Sequence, residues 1–277
     1  MNGAQITRLA DGRLHLHHGP IDLLCQAWGS PAVVTEGYRR GAARFAGVLA
    51  ELVAELPGLR GVDMALNGPI ARKMAQAVAP FRPVFITPMA AVAGAVADAV
   101  LAAMVLPEMS RAYVNNGGDI ALHLTPGARL TCALGLGGTA GPVVVRYQDR
   151  VRGIATSGWR GRSWSLGIAD SVTVLADSAA KADAAATMIA NAVDLPHHPA
   201  IARRPADQLQ AETDLGTRLV TVGVGLLTAA EVGMALTRGE NLAQMLRRRG
   251  LVEASALFLQ DEMRAVGALG LKEPLHA

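Results

Sequence analysis

From Met89 to Leu106 the chain is almost wholly apolar, bracketed by Pro88 and Pro107 and interrupted near its middle by Asp98. Such a run reaches about the 18 residues at which a membrane span becomes the default reading, but a carboxylate near the bilayer centre is costly. A helix buried inside a globular core is the better solution, and no membrane association is expected. Ala90, Gly94 and Asp98 recur at a spacing of four and share one face, where small residues permit close approach of a neighbouring element. Asp98 on that face needs a partner, whether a backbone donor, an arginine or a metal-linked water.

The rest of the chain must build a core around that helix. Its 277 residues are 51% hydrophobic but only 4% aromatic, so the core has to be made of Ala, Val, Leu and Met. Periodicity predicts strands over Arg13 to His18 and Ile21 to Trp28 around a Gly19-Pro20 corner. It predicts helices over Glu36 to Glu55, ended by Pro57-Gly58, and over Gly68 to Ala79 with Pro69 in the first turn. Strand candidates follow at Arg111 to Asn115, Ile120 to Leu124, Leu130 to Leu134, Val143 to Tyr147, Arg152 to Thr156 and Ser165 to Ala176. Helices return over Ser178 to Ala192, Thr228 to Arg248 and Leu251 to Val266, with a surface loop at Pro196 to Pro205. The order is α+β, with antiparallel strands between helical blocks.

The net charge is +3 and the arginines are scattered apart from Arg203-Arg204 and Arg247-Arg248-Arg249. Without basic and aromatic residues interleaved, nucleic acid is not an expected partner. Cys25 and Cys132 are too few and too far apart for a disulfide framework or a zinc site. The first residues show no basic-then-apolar signal region and no lipobox cysteine, which points to the cytoplasm. The C-terminal helices present apolar faces that suit either the core or a second subunit, leaving a homo-oligomer open.

A polar corner interrupts the strand region at Asn115-Asn116-Gly117-Gly118-Asp119. Paired glycines let the backbone take positive φ and approach a ligand, while Asn and Asp add short donors and acceptors. The plainer reading is a Gly-Gly turn between two strands. Upstream lies Thr87-Pro88-Met89-Ala90-Ala91-Val92-Ala93-Gly94-Ala95-Val96-Ala97-Asp98. Downstream lie Thr156-Ser157-Gly158, Ser171-Val172-Thr173-Val174 and Ala182-Asp183-Ala184-Ala185-Ala186-Thr187. In this order, over about residues 85 to 190, these segments resemble the ApbE-like superfamily, whose characterised enzymes are magnesium-dependent FAD:protein FMN transferases.

The resemblance implies one ApbE-like domain over residues 1–277, an α+β fold of antiparallel sheets with packed helices in two intertwined lobes. It implies Mg²⁺ and a flavin nucleotide, FAD or FMN, as cofactors, and a small-molecule nucleotide or flavin as partner. Carried across by position, the metal shell would be Asp183, Thr187 and the Val92 carbonyl. The flavin or its phosphates would lie near Asn116, Gly117, Gly118 and Asp119, with Thr156, Ser157 and Gly158 supplying a hydroxyl and backbone donors. On the residues alone, Asp183 and Thr187 stack on one helix face and offer oxygen ligands that suit Mg²⁺. On the residues alone the plainer reading is the favoured one: an acidic residue near a helix start, with Thr187 bonding back to the Asp183 carbonyl.

Departures from the family pattern are specific. Its His-x-x-Asp-Pro segment is absent from Gly158 to Asp170, as are its early Ser-x-x-x-x-Asn and Met-Gly-Thr signals. Arg160 and Arg162 in that interval match phosphate geometry, and Trp159 and Trp164 could stack on a ring, or the four form an exposed basic turn. His18 stands beside Asp22 in sequence as a candidate base and orienter, with His15 and His17 on the same strand. His197-His198 has no evident metal partners. Asp183, Ser157 and His18 are the candidate catalytic groups. Three readings follow: a flavin-nucleotide enzyme of phosphoryl-type chemistry, a binding or carrier protein that has lost turnover, and a cofactor-biosynthesis enzyme acting on a pterin-like ring.

Overall fold

A computed structural model describes residues 3–62, 65–132 and 142–269. The order is β1 (Gln5–Arg8), β2 (Leu14–His18), β3 (Ile21–Trp28), α1 (Pro31–Ala46), α2 (Val48–Ala54), α3 (Leu56–Leu59), α4 (Pro69–Val78) and α5 (Val92–Met104). Then come β4 (Arg111–Asn116), β5 (Asp119–Leu124), β6 (Arg129–Cys132), β7 (Val143–Arg146), β8 (Gly153–Ser157), β9 (Ser171–Ala176) and α6 (Ala179–Ala192). The chain continues through β10 (Ile201–Pro205), β11 (Leu219–Val224), α7 (Ala229–Arg248), β12 (Ala254–Leu259) and β13 (Glu262–Val266).

Nine of these strands form one sheet in the order β1-β2-β3-β4-β5-β8-β9-β12-β13. Every pairing in it is antiparallel. Alternation along the strands divides their side chains between two faces. Val172 and Val174 join the larger core with α1, α5, α6 and α7, whereas Leu175, Ile154, Ala256 and Phe258 join a smaller core. The β6–β7 hairpin covers that second core with Leu130, Cys132, Val143 and Val145. The architecture is thus α+β, with antiparallel sheets and packed helices, as the sequence predicts.

The apolar run is the buried helix α5, and among the described residues no helix is long and apolar enough to cross a membrane. The face bearing Gly94 meets the start of α6 at closest approach. A Cβ on Gly94 would lie 2.2 Å from the Ala179 carbonyl oxygen. Asp98 finds backbone donors there: its two oxygens accept the N–H groups of Ala179 and Ala180 at 3.1 and 3.2 Å. These are the first orphan donors of α6, so a carboxylate of α5 caps its neighbour. Lys73 adds a cation 3.3 Å away.

Several expectations need correction. The helix predicted over Glu36 to Glu55 starts earlier, at the Ser30 cap and Pro31, and divides at Gly47; Pro57-Gly58 lies inside the one-turn α3. The strand predicted from Ser165 begins only at Ser171, because residues 165–170 run against the end of α6, where Ser165 and Leu166 bond to Asn191. The predicted loop over Pro196 to Pro205 ends in β10, paired with β11, which the sequence reading missed. In the same segment His198 has a partner: Nδ1 accepts the Ala200 N–H, so Nε2 carries the proton toward Glu231 in the capping box of α7. The predicted strand at Leu130 to Leu134 is β6 as far as Cys132, and its last positions lie outside the described residues.

The largest miss is the helix predicted over Leu251 to Val266, which is the β12–β13 hairpin. All six residues of β12 are buried, between β9 and β13 and between the two cores. A strand buried on both faces loses its two-residue alternation, and a short apolar run then reads equally as helix. Helix α7 stops at Gly250, whose φ of +70° favours glycine.

Gly94→Ala is expected to force α5 and α6 apart and cost about 3 kcal/mol. Urea denaturation of the variant against the parent chain measures this; a loss within experimental error would mean that the helices are not in contact at this point.

Candidate functional site

The Gly-Gly corner is a two-residue hairpin turn. Asn116 pairs with Asp119, and Gly117 and Gly118 both have positive φ, +62° and +116°, as the tight turns that join twisted strands require. This is the plainer of the two readings of the corner, a Gly-Gly turn between two strands, yet the flanking side chains bind inward. Asn116 Nδ2 donates to the Ala93 carbonyl at 3.1 Å and so ties the turn to the start of α5. Asp119 is buried and accepts the Thr156 N–H at 3.2 Å, tying the turn to the end of β8. The Asn115 side chain accepts from Gly118 N.

Asp183 completes this corner from α6. Its Oδ2 accepts the Gly94 N–H at 3.0 Å, in the first turn of α5. The two helices therefore cap one another, Asp98 on the start of α6 and Asp183 on the start of α5. Thr187 follows one turn on, on the same face and partly buried. The structure thus gathers Ala93, Gly94, Asp183, Asn116, Asp119 and Thr156 around the start of α5, with Val92 at the head of that helix and Thr187 one turn beyond Asp183 on α6.

The electrostatics of this corner are unusual. Burial pushes the Asp119 carboxyl up to about 7, although the Thr156 N–H opposes the shift. Burial raises the Asp183 carboxyl as well, and the charge of Asp119 raises it further, against the Gly94 and Ala93 N–H groups. Lys73 pairs with Asp98 rather than with either of them. Among the described residues, no group of three or more His, Cys, Asp and Glu is arranged to hold a metal ion. The oxygen donors that can be placed here are the Asp183 carboxylate at the start of α5 and the Asp119 carboxyl close enough to couple to it, with the Thr187 hydroxyl one helical turn beyond Asp183 on the same face. Hard oxygen donors with excess negative charge fit Mg²⁺, which keeps waters or phosphate oxygens in its other positions.

Beside the corner lies a cleft of about 820 Å³ lined by Thr156, Ser157, Gly158, Arg160, Asp170 and residues of two distant segments, 224–226 and 258–261. Gly158 is required here, since a Cβ would lie 2.4 Å from the Asp170 carbonyl oxygen. Asp170 organises the cleft. Its Oδ1 accepts Arg160 Nε at 2.6 Å and Trp159 Nε1 at 3.1 Å, and its Oδ2 accepts the Gln260 N–H at 2.6 Å. The Arg160 guanidinium also lies over the Trp159 ring, 5.1 Å from its centroid. Arg162 is exposed and turned back toward the hairpin, with Nη1 3.5 Å from where a Cβ on Gly117 would lie. Trp164 is exposed in the same loop.

The sequence reading missed Asp170, Gly225, Leu226 and Gln260. Gln260 fell in a predicted helix, which concealed the turn that brings it here. The pairing of His18 with Asp22 is also corrected: Asp22 bonds to His15 Nε2 at 2.9 Å. The His18 ring packs edge-on to Phe45, and its Nδ1 is buried without a hydrogen-bond partner.

A family model described as "AbpE bacteria" matches residues 6–265, and the chain belongs to that family. This bears out the ApbE-like resemblance. Curated relatives include a UPF0280 protein of Methanosphaerula palustris, 40% identical over 109 residues, 38% of this chain and 46% of the relative. Another UPF0280 protein, from Methanothermobacter thermautotrophicus, is 39% identical over 137 residues, 47% of this chain and 51% of the relative. The chain spans about half the length of the curated relatives it matches. Among solved structures, the flavin transferase ApbE of Vibrio cholerae is 12% identical with a TM-score of 0.37, covering 96% of this chain and 98% of that one. The apo flavinyl transferase ApbE of Pseudomonas stutzeri is 14% identical with a TM-score of 0.35, covering 87% and 73%.

Because Asp119 is raised in the folded chain, the folded state holds a proton that the unfolded state releases above about pH 4, and stability falls as pH rises toward 7. Asp119→Asn is expected to remove this component. Denaturation of both forms between pH 4.5 and 7.5 should therefore show the variant gaining stability relative to the parent chain as pH rises. Parallel curves would refute the assignment.

Proposed function

We propose that this protein is a cytoplasmic, Mg²⁺-dependent flavin-nucleotide protein, acting on FAD or FMN as a single unit over residues 1–277 through phosphoryl-type transfer. The observation that carries this reading is that Asp183, bonded to the start of α5, and Asp119, at the Gly-Gly turn, lie close enough to couple beside an open cleft that Thr156 lines. Two desolvated carboxylates repel one another there, and a divalent cation would relieve that repulsion. Asp183, Thr187 and the Val92 carbonyl would hold the metal, which when bound offsets charge on phosphate oxygens.

The chain's own groups then divide the remaining work. The Gly117-Gly118 turn lets backbone approach the ligand without a Cβ, while Asn116 and Asp119 fix that turn to α5 and β8. Thr156 stands at the cleft with its hydroxyl 2.8 Å from that of Thr173, and Ser157 offers a second hydroxyl. Arg160 supplies positive charge at the cleft, and Arg162 supplies it over the turn. His18 receives no role, since its ring packs against Phe45 and its supposed carboxylate partner bonds elsewhere.

One observation favours the carrier reading. The 158–170 loop contains no histidine, and Trp159 and Arg160 are bonded to Asp170 instead of standing free for chemistry. A binding protein that retains the metal corner without turnover would look the same.

The test is calorimetric titration of the purified chain with FAD and FMN, with and without Mg²⁺. Binding that requires Mg²⁺ in the parent chain and is lost in Asp183→Ala supports the reading; Mg²⁺-independent binding unchanged in that variant removes the metal assignment. Release of AMP from FAD, or its absence despite binding, then separates the enzyme from the carrier.

A further inference from the structure

The cleft has two chemically different ends, and one carboxylate joins them. At one end Arg160 is 64% exposed but not loose: Nε is held by Asp170 Oδ1 and the guanidinium face lies over Trp159. Its terminal amino groups remain for an anion, and Arg162 extends the positive charge toward the Gly117 turn. A guanidinium fixed in advance loses less rotational freedom on meeting an oxyanion. At the other end the wall is Val224, Gly225, Leu226 and Phe258, with Gln260 and the Asp261 carboxylate also lining the cleft. Leu226 is 95% exposed, the barest large apolar side chain among the described residues. A single exposed leucine on a surface is ordinary, but this one borders a cleft whose adjoining wall contains Phe258.

The two ends are held in register by Gln260. Its φ of +51° is uncommon for a residue with a side chain, and two bonds hold it there: its N–H to Asp170 Oδ2 and its Nε2 to the Gly225 carbonyl at 2.9 Å. The chain of bonds Arg160, Asp170, Gln260, Gly225 therefore runs from the charged end to the apolar end, across segments far apart in sequence.

We propose that this cleft binds an amphipathic ligand in one orientation, with its anionic group on Arg160 and its planar apolar ring against Leu226. The identity of the probes rests on the flavin-nucleotide reading; the polarity of the cleft does not. Asp170 is the positioning residue that sets both ends at once, and Leu226 is the residue that selects for a ring.

The test uses two substitutions at exposed positions, Arg160→Met and Leu226→Ser; because Arg160 bonds to Asp170, ligand-free melting temperatures equal to the parent chain's are required before the binding comparison is read. Calorimetry with Mg²⁺ present compares riboflavin, which has the ring without phosphate, with FMN and with inorganic pyrophosphate. Arg160→Met is expected to weaken FMN and pyrophosphate by about tenfold or more and riboflavin by less than about twofold. Leu226→Ser is expected to weaken riboflavin and FMN by about fivefold and leave pyrophosphate within about twofold. Equal losses for riboflavin and pyrophosphate in either variant, or no loss in both, overturn the polarity. If the parent chain binds neither flavin, the flavin reading falls, and ATP, adenosine and pyrophosphate test the polarity in the same way. If none of these ligands binds, both fall together.

Discussion

Helices α5 and α6 meet where Gly94 lies under the Ala179 carbonyl, and each supplies a carboxylate to the other's first turn. Helix starts carry unpaired N–H groups and a partial positive charge, and burying two of them side by side without acceptors would be costly. Asp98 and Asp183 remove that cost reciprocally. The arrangement also explains why the residues near the contact are so small. A methyl group at residue 94 would collide with backbone, and backbone cannot move aside as a flexible side chain can.

That solution has an electrostatic consequence. Asp98 has Lys73 nearby as well as two backbone donors. Asp183 has backbone donors from one helix start and faces Asp119, itself buried and bonded to the Thr156 N–H. The structural reason for Asp183 therefore accounts for its place but leaves Asp119 unexplained, since an Asn at residue 119 could still accept from Thr156 without burying charge. A carboxylate held beside another, both raised by burial, is the kind of placement that marks a candidate functional site.

How far the sequence disclosed this varies by residue and for physical reasons. Local features were legible: the turn at Gly117-Gly118, the Ser178 start of α6, and the need for a partner at Asp98. The partner itself was not, because the Ala179 and Ala180 N–H groups stand 81 and 82 residues along the chain. The ApbE-like motif order found the acidic corner, since its segments carry distinctive residue types at fixed spacing. It missed the opposite wall of the cleft, which is built from Gly225, Leu226 and Gln260. Gln260 follows β12, whose alternation is lost through burial on both faces, and Gly225 and Leu226 follow β11, a Val- and Thr-rich strand that was not recognised because its partner β10 lay in a predicted loop. Asp170 looked like a loop residue because its significance lies in what it bonds rather than in its neighbours.

The corner and the cleft together define a gradient of charge. Buried carboxylates lie at one boundary, exposed guanidinium groups over the Gly-Gly turn and the cleft lie next, and bare apolar surface lies at the far rim. A ligand consisting only of an anion would leave Leu226 in water, and a ligand consisting only of a ring would leave the guanidinium groups without a counter-charge. Under the proposed orientation a phosphate-bearing ring would satisfy both ends, and a cation at Asp183 would let the phosphate stand close to the acidic corner without repulsion. The rigid Arg160, Asp170, Gln260, Gly225 chain makes this gradient a property of the unliganded fold. Under that proposal selectivity would rest on how the bonded chain spaces the two ends as well as on each single contact.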